Sequence, residues 1–220
     1  MQSADTIKIH DGNNAPKWAD WLELEPFRIE HSSWDVGTYR PYSEARLLLH
    51  NDVLHVRLAS FEPDQSKRRA ACATTGGPVH LDSCLEAFIS FSNEEDAPYF
   101  NFEFNSLGTA HVGIGSSRRG RTLLSASEIA DLRVNCMIDI NTEGEYEAGW
   151  WQIHFQIPSS WLAVRIGEAA QFEEGKVIRA NFYKCGDETP DPHYLSWAPI
   201  GTPTPDFHQP TYFRFLKLVR

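Results

Sequence analysis

Short apolar runs that change character at every second position recur along the whole chain, and that period argues against a mainly helical architecture. Side chains on an extended strand point alternately to opposite faces. In Phe100-Asn101-Phe102-Glu103-Phe104-Asn105 the three phenylalanines share one face, and Asn101, Glu103 and Asn105 share the other. Further β-like runs cover 46–50, 53–61, 84–91, 99–105, 110–114, 134–140, 150–157, 177–184 and 213–219, and Asn51-Asp52 between the first two reads as a hairpin turn. Helical signals are confined to 125–132 and 159–164, the second following Pro158 with serine caps. Prolines 199, 203, 205 and 210 make the stretch before the last run an ordered irregular loop. At least eight strands with one or two short helices predict an all-β fold, an antiparallel β-sandwich of jelly-roll type.

At 220 residues, with no internal repeat or low-complexity tract, the chain reads as one domain over 1–220. Its formal charge of −10 repels phosphate backbones and anionic lipid surfaces, so nucleic acid and membrane are poor partners. The one basic cluster, Arg118-Arg119-Gly120-Arg121, lies in a Gly/Ser-rich stretch and reads as a solvated turn. Cys72, Cys84, Cys136 and Cys185 are widely spaced, without a C-x-x-C pair. An even count permits disulfides, yet Cys84 and Cys136 sit in strand-like runs where free thiols pack as small apolar groups. The polar start, Met1-Gln2-Ser3-Ala4-Asp5, leads into no apolar leader segment, and no run is long enough to span a bilayer. A cytoplasmic protein, or an extracytoplasmic one whose leader was removed, would read this way.

Polar groups gather on the faces opposite the apolar ones. Glu86 stands opposite Leu85, Ala87 and Ile89; Arg179, Asn181 and Tyr183 share a side; Trp150, Gln152, His154 and Gln156 face away from Trp151, Ile153 and Phe155. Sugars need such a mixture, because their hydroxyls are both donors and acceptors and their C–H faces lie flat on aromatic rings. A sheet with one solvated face shows the same alternation. An unpaired carboxylate is costly inside a sandwich, so Glu86 must face water, a partner or a ligand.

The strings VHLDSCLEAFISF (79–91), APYFNFEFNSLGT (97–109), RANFYKCGD (179–187), HYLSWAPI (193–200) and DFHQPTYF (206–213) resemble the family 9 carbohydrate-binding modules and their stand-alone relatives. The more specific pieces are the Asp-Ser-x-x-Glu-x-Phe run at 82–88 and Ser-Trp-x-Pro at 196–199. The resemblance implies a β-sandwich whose slot clamps a sugar, often a chain-terminal one, between two aromatic rings, with charged and amide groups on its hydroxyls. Trp197 matches one clamp tryptophan, Glu86 the strand glutamate, and Asn101 and Glu103 the polar positions of the next strand. Arg179 and Asn181 join the candidate set from their shared face. Asn101 replaces an arginine of the better-known binders, and Glu103 an asparagine. Where the second clamp tryptophan should fall the chain has Pro78-Val79-His80, which makes His80 the nearest stacking group. The family often carries structural calcium, for which the acidic loop Glu94-Glu95-Asp96 is a candidate, and members often work beside a glycoside hydrolase.

Two other classes compete with sugar binding. Glycoside hydrolysis needs two carboxylates at a set separation, and Glu86 with Glu103 is the pair that neighbouring strands could supply. Haem binding, on a related architecture, would want Met or His ligands, and Met1 and Met137 are poorly placed. His80, His193 and His208 show no metal-binding spacing. Trp18, Trp21 and Trp34 read as anchors that hold the N-terminal segment onto the sandwich.

Overall fold

A computed structural model describes residues 4–12 and 14–220, so Met1 to Ser3 of the polar start lie outside the described residues. In chain order the first strands are β1 (Asp5–Ile9), β2 (Phe27–Arg28), β3 (Tyr42–His50), β4 (Val53–Phe61), β5 (Cys84–Ser90), β6 (Tyr99–Asn105) and β7 (Ala110–Gly115). They are followed by β8 (Thr122–Leu123), β9 (Asn135–Ile140), β10 (Tyr146–Pro158), β11 (Val177–Gly186), β12 (His193–Ser196) and β13 (Arg214–Val219). Three short helices interrupt them: α1 (Trp18–Leu22), α2 (Ala126–Ala130) and α3 (Ser159–Ile166).

The strands bond into one path, β8-β7-β6-β5-β11-β13-β1-β3-β4-β10-β9, with β12 on β11 and β2 on β3. This sheet curls over on itself. The rings of Phe102 and Phe104 on β6 lie 5.1 and 4.9 Å from Phe155 on β10, so distant strands of the path face each other across one core. The alternation decides which side chains meet there: Phe100, Phe102 and Phe104 are buried with Trp151, Ile153 and Phe155. Asn51 and Asp52 take φ of +47° and +59°, the left-handed pair of a tight hairpin turn between β3 and β4.

Two expectations change. The sheet is not wholly antiparallel, because β1 pairs in parallel with both β13 and β3. Those two strands run in the same direction, so a strand bridging them must have the same sense relative to each, and Ile7 at its centre is fully buried. A third helix, α1, forms where the sequence offered only tryptophans: the main-chain N–H of Lys17 donates to Asp20 at 2.6 Å, and Trp21 turns inward. The anchoring role of the tryptophans holds. Trp21 and Trp34 are buried, Trp34 Nε1 donates to the carbonyl of Thr202 at 2.8 Å, and half-buried Trp18 lies 3.9 Å beneath the Arg57 guanidinium.

An ion pair lies on the core side of β11. Lys184 and Glu62 are both fully buried with Nζ and Oε1 3.4 Å apart. The second Glu62 oxygen accepts from Trp151 Nε1 at 2.6 Å, and the ammonium also donates to the Cys185 carbonyl and to His193 Nε2. His193 therefore presents a bare Nε2 to the cation while its Nδ1–H faces the Asp191 carbonyl.

On the outer side of β4 and β10, His55 Nδ1 and His154 Nε2 stand 3.2 Å apart. Burial, followed by neighbouring histidines, pushes both down to about 4 from the ordinary 6.5. Between those values the unfolded chain binds protons that the folded chain refuses. Stability is therefore complete above about pH 6.5 and falls with pH down to about 4, the slope for His154 approaching ~1.4 kcal/mol per pH unit. Thermal melts across that window should show a falling Tm, and His154→Gln should flatten the dependence. An unchanged slope in the variant would remove this pair as the cause.

Candidate functional site

The outer faces of β5, β6, β7 and β11 carry one continuous polar row. Register places Glu86 opposite Glu103 and Tyr183, Glu103 opposite His111, and Asn101 opposite both Phe88 and Gly113. Period-two geometry then sets all of them on the same side, away from the phenylalanine core. The face is not solvated. Residues 69–82 and 199–213 fold across it and seal Trp34, Val79, Phe88, Tyr99, Tyr183 and Phe207 into a second apolar cluster.

Specific bonds hold these covers. Buried Asp82 accepts from the main chain of Ala71 and Cys72, from Asn105 and from Arg69, which pins the first loop to the sheet. In the second loop, Phe207 stacks on Tyr183 with centroids 4.1 Å apart, and its carbonyl accepts from the Tyr183 hydroxyl. His208 meets the Tyr99 hydroxyl at 2.9 Å. Burial and then the charge of Arg121 depress His208 to about 3, so its ring is neutral at physiological pH.

Between the covers and the sheet lies a cavity of about 390 Å³. Glu86, Phe88, Asn101, Glu103 and His111 line it from the sheet, joined by His80 and Asp187, whose N–H donates to the His80 carbonyl, and by Tyr194, Phe207 and His208. Asn101 donates to Glu103 at 2.8 Å and accepts from Arg121 Nε at 2.8 Å, so its amide orientation is fixed. Gly113 permits that arrangement, since a Cβ there would stand 2.9 Å from the Asn101 oxygen. His111 Nδ1 reaches the carbonyls of Gly76 and Gly77, so it must carry the proton and Nε2 remains the other ring atom.

The charge pattern is uneven. Burial, then Cys185 and Glu103, raises the Glu86 carboxyl well above the usual carboxylate range, which favours its acid form, able to donate as well as accept. Burial also raises Asp187, against the opposing pull of His80. The cavity thus offers carboxyl, carboxylate, amide, imidazole and ring surfaces within one small volume.

Four of the sequence-predicted residues come together here: Glu86, Asn101, Glu103 and His80. Three do not. Trp197 is 6% exposed and packs against Phe27 and Phe182 at 4.9 and 5.3 Å in the main core. The reason is parity: Leu195 pairs with Lys184 and the Trp197 N–H bonds to the Phe182 carbonyl, so both side chains point to the core side. Arg179 is spent on the carbonyls of Glu94, Glu95 and Pro210, which fixes two loops. Asn181 bonds the main chain of Ala198 in both directions. In the 94–96 loop, the candidate for calcium, the carbonyls of Glu94 and Glu95 accept from the Arg179 guanidinium.

Sequence reasoning missed Tyr194, His111, Asp187 and Arg121. Tyr194 was within reach: it pairs with Cys185, two positions from Tyr183, and so takes the face of Glu86 by alternation alone. Arg121 belongs to the supposed solvated turn, where Arg118 and Arg119 are exposed as expected, but it folds inward onto Asn101 and the carbonyls of Tyr99 and Gly113.

A family model described as carbohydrate-binding family 9 matches residues 14–218. The chain belongs to carbohydrate-binding family 9. Three solved structures share the fold of this family 9 chain. A candidate carbohydrate-binding protein from Bacteroides uniformis is 24% identical, with a TM-score of 0.77 and 98% and 100% of the two chains covered. A family 9 module from Caldicellulosiruptor kristjanssonii in complex with cellotriose is 12% identical, at TM-score 0.61 and coverage of 98% and 93%. Its complex with glucose gives 13%, 0.59, and 98% and 97%. No curated protein matches the chain. No helix among the described residues is long and apolar enough to cross a membrane.

Proposed function

We propose that the chain binds a mono- or oligosaccharide, or the end of a glycan chain, in the cavity over β5, β6 and β11, without altering it chemically and in the service of carbohydrate catabolism. Family membership supports carbohydrate binding of the non-catalytic kind. One observation carries the finer reading: Glu86, Asn101 and Glu103, from adjacent strands, line with His80 and Tyr194 a single cavity of about 390 Å³. That size lies within the range of about 300–1,000 Å³ common to small-molecule pockets. Hydroxyls of a sugar bond to the carboxyls and the Asn101 amide, and a C–H face of the ring stacks on Tyr194. Phe207 serves less well for stacking, because Tyr183 already covers one of its faces. A glycoside hydrolase is the partner class such a module would accompany.

A second reading has one observation in its favour. Glu86 stands directly opposite Glu103 on the neighbouring strand, and a pair of facing carboxyls is what glycoside hydrolysis employs. One experiment addresses both readings: calorimetric titration of the purified chain with mono- and oligosaccharides, glucose and cellotriose included, with assay of the same tubes for new reducing ends. Asn101→Ala and Glu86→Ala should each weaken binding by roughly 10-fold, the loss of one or two hydrogen bonds between uncharged groups. Undiminished affinity in both variants would move the site elsewhere, and new reducing ends that Glu86→Ala abolishes would establish hydrolysis.

A further inference from the structure

At the cavity floor two buried thiols, for which sugar binding has no use, meet the Glu86 carboxyl. Cys84 and Cys185 are direct partners across the β5–β11 pair, and Glu86 follows two positions after Cys84 on the same face. Alternation aims all three at one point, and each is at least 97% buried. Their donor atoms lie within 4.8 Å of one another. Glu86 Oε1 stands 3.2 Å from the Cys185 sulfur and 3.8 Å from the Cys84 sulfur.

Those separations have a chemical meaning. A tetrahedral zinc ion takes thiolate at about 2.3 Å and carboxylate oxygen at about 2.0 Å, which sets a sulfur-to-oxygen edge of about 3.5 Å. The observed pair straddles that value. Two thiols and one carboxyl also suit a borderline-soft divalent ion better than calcium or magnesium, which prefer all-oxygen shells. Glu86 and Cys185 line the cavity and Cys84 does not, so the fourth corner of the tetrahedron points to the open side.

From this geometry we propose that Cys84, Glu86 and Cys185 form a binding site for a divalent cation of the zinc class, with water or a ligand oxygen from the cavity as fourth donor. Binding replaces the two S–H bonds by sulfur–metal bonds and releases those protons, with any proton held by Glu86, to solvent, with no change of oxidation state. Metal-free, the two thiols donate to Glu86 Oε1, which satisfies the cluster in its buried position.

The test uses the full chain under a thiol-free reductant, so that the facing cysteines remain thiols, and titrates Co²⁺ as a spectroscopic substitute for zinc. One equivalent should bind with a thiolate-to-cobalt charge-transfer band, which Zn²⁺ then bleaches. Cys72→Ala/Cys136→Ala should retain the band, and Cys84→Ser and Cys185→Ser should each lose it while sugar affinity in Cys84→Ser persists. No band in the reduced wild-type chain overturns the site, as does a band that survives in Cys84→Ser/Cys185→Ser. The wild-type arm decides the matter even if a serine variant fails to fold. Sugar titrations of the metal-free chain run beside these, so the loss of one proposal is distinguishable from the loss of the other.

Discussion

Lys184→Met should lower the unfolding free energy by about 3–5 kcal/mol, and Glu62→Gln by a similar amount, because each leaves a fully buried charge without its counterion. Neither remaining group can reach water. The Glu62 carboxylate would keep only Trp151 and Ser83 as donors, and the ammonium only His193 and a carbonyl. For a domain whose total stability is about 5–15 kcal/mol, either loss is a large fraction of what holds it folded. The double variant should recover much of the deficit, since it leaves no buried charge without a counterion. Urea unfolding of the four proteins checks this as a cycle. Additive losses in the double variant would mean that the two charges do not interact.

Trp197→Ala should cost about 3–5 kcal/mol of stability while leaving the sugar affinity of the folded protein unchanged. The indole fills space between Phe27 and Phe182, and the Arg214 guanidinium lies 4.7 Å from its ring. Removing it opens a void in the main core, on the side of β11 away from the cavity. Tyr194→Ala should do the reverse, weakening sugar binding at little cost in stability, because that ring is half-buried and lies on the cavity side. Unfolding curves and calorimetric titration of the two variants separate the roles. Lost affinity with unchanged stability in Trp197→Ala would restore the tryptophan to the binding site.

The contrast between Trp197 and Tyr194 shows how far the residues could be read. Alternation assigned Glu86, Asn101 and Glu103 to one face, and the structure keeps them there. The resemblance to family 9 modules offered Trp197 by its place in Ser-Trp-x-Pro, but resemblance carries no information on which side of its own strand that tryptophan lies. Its alternation with Leu195 did carry it. Arg179 and Asn181 were on the correct side by parity yet lie further along β11 from the cavity, where loop carbonyls claim them.

The sequence alone determined the local rules: which runs are extended, where Asn51-Asp52 turns the chain, and which side of each strand is polar. Strand geometry fixes these through contacts between near neighbours. The tertiary structure decided what covers the polar face, since the loops that close the cavity meet it from positions more than a hundred residues away, as His208 meets Tyr99. It alone also joined Lys184 to Glu62 and Cys84 to Cys185, because pairing between distant strands depends on how the whole sheet curls and on no short stretch of the chain.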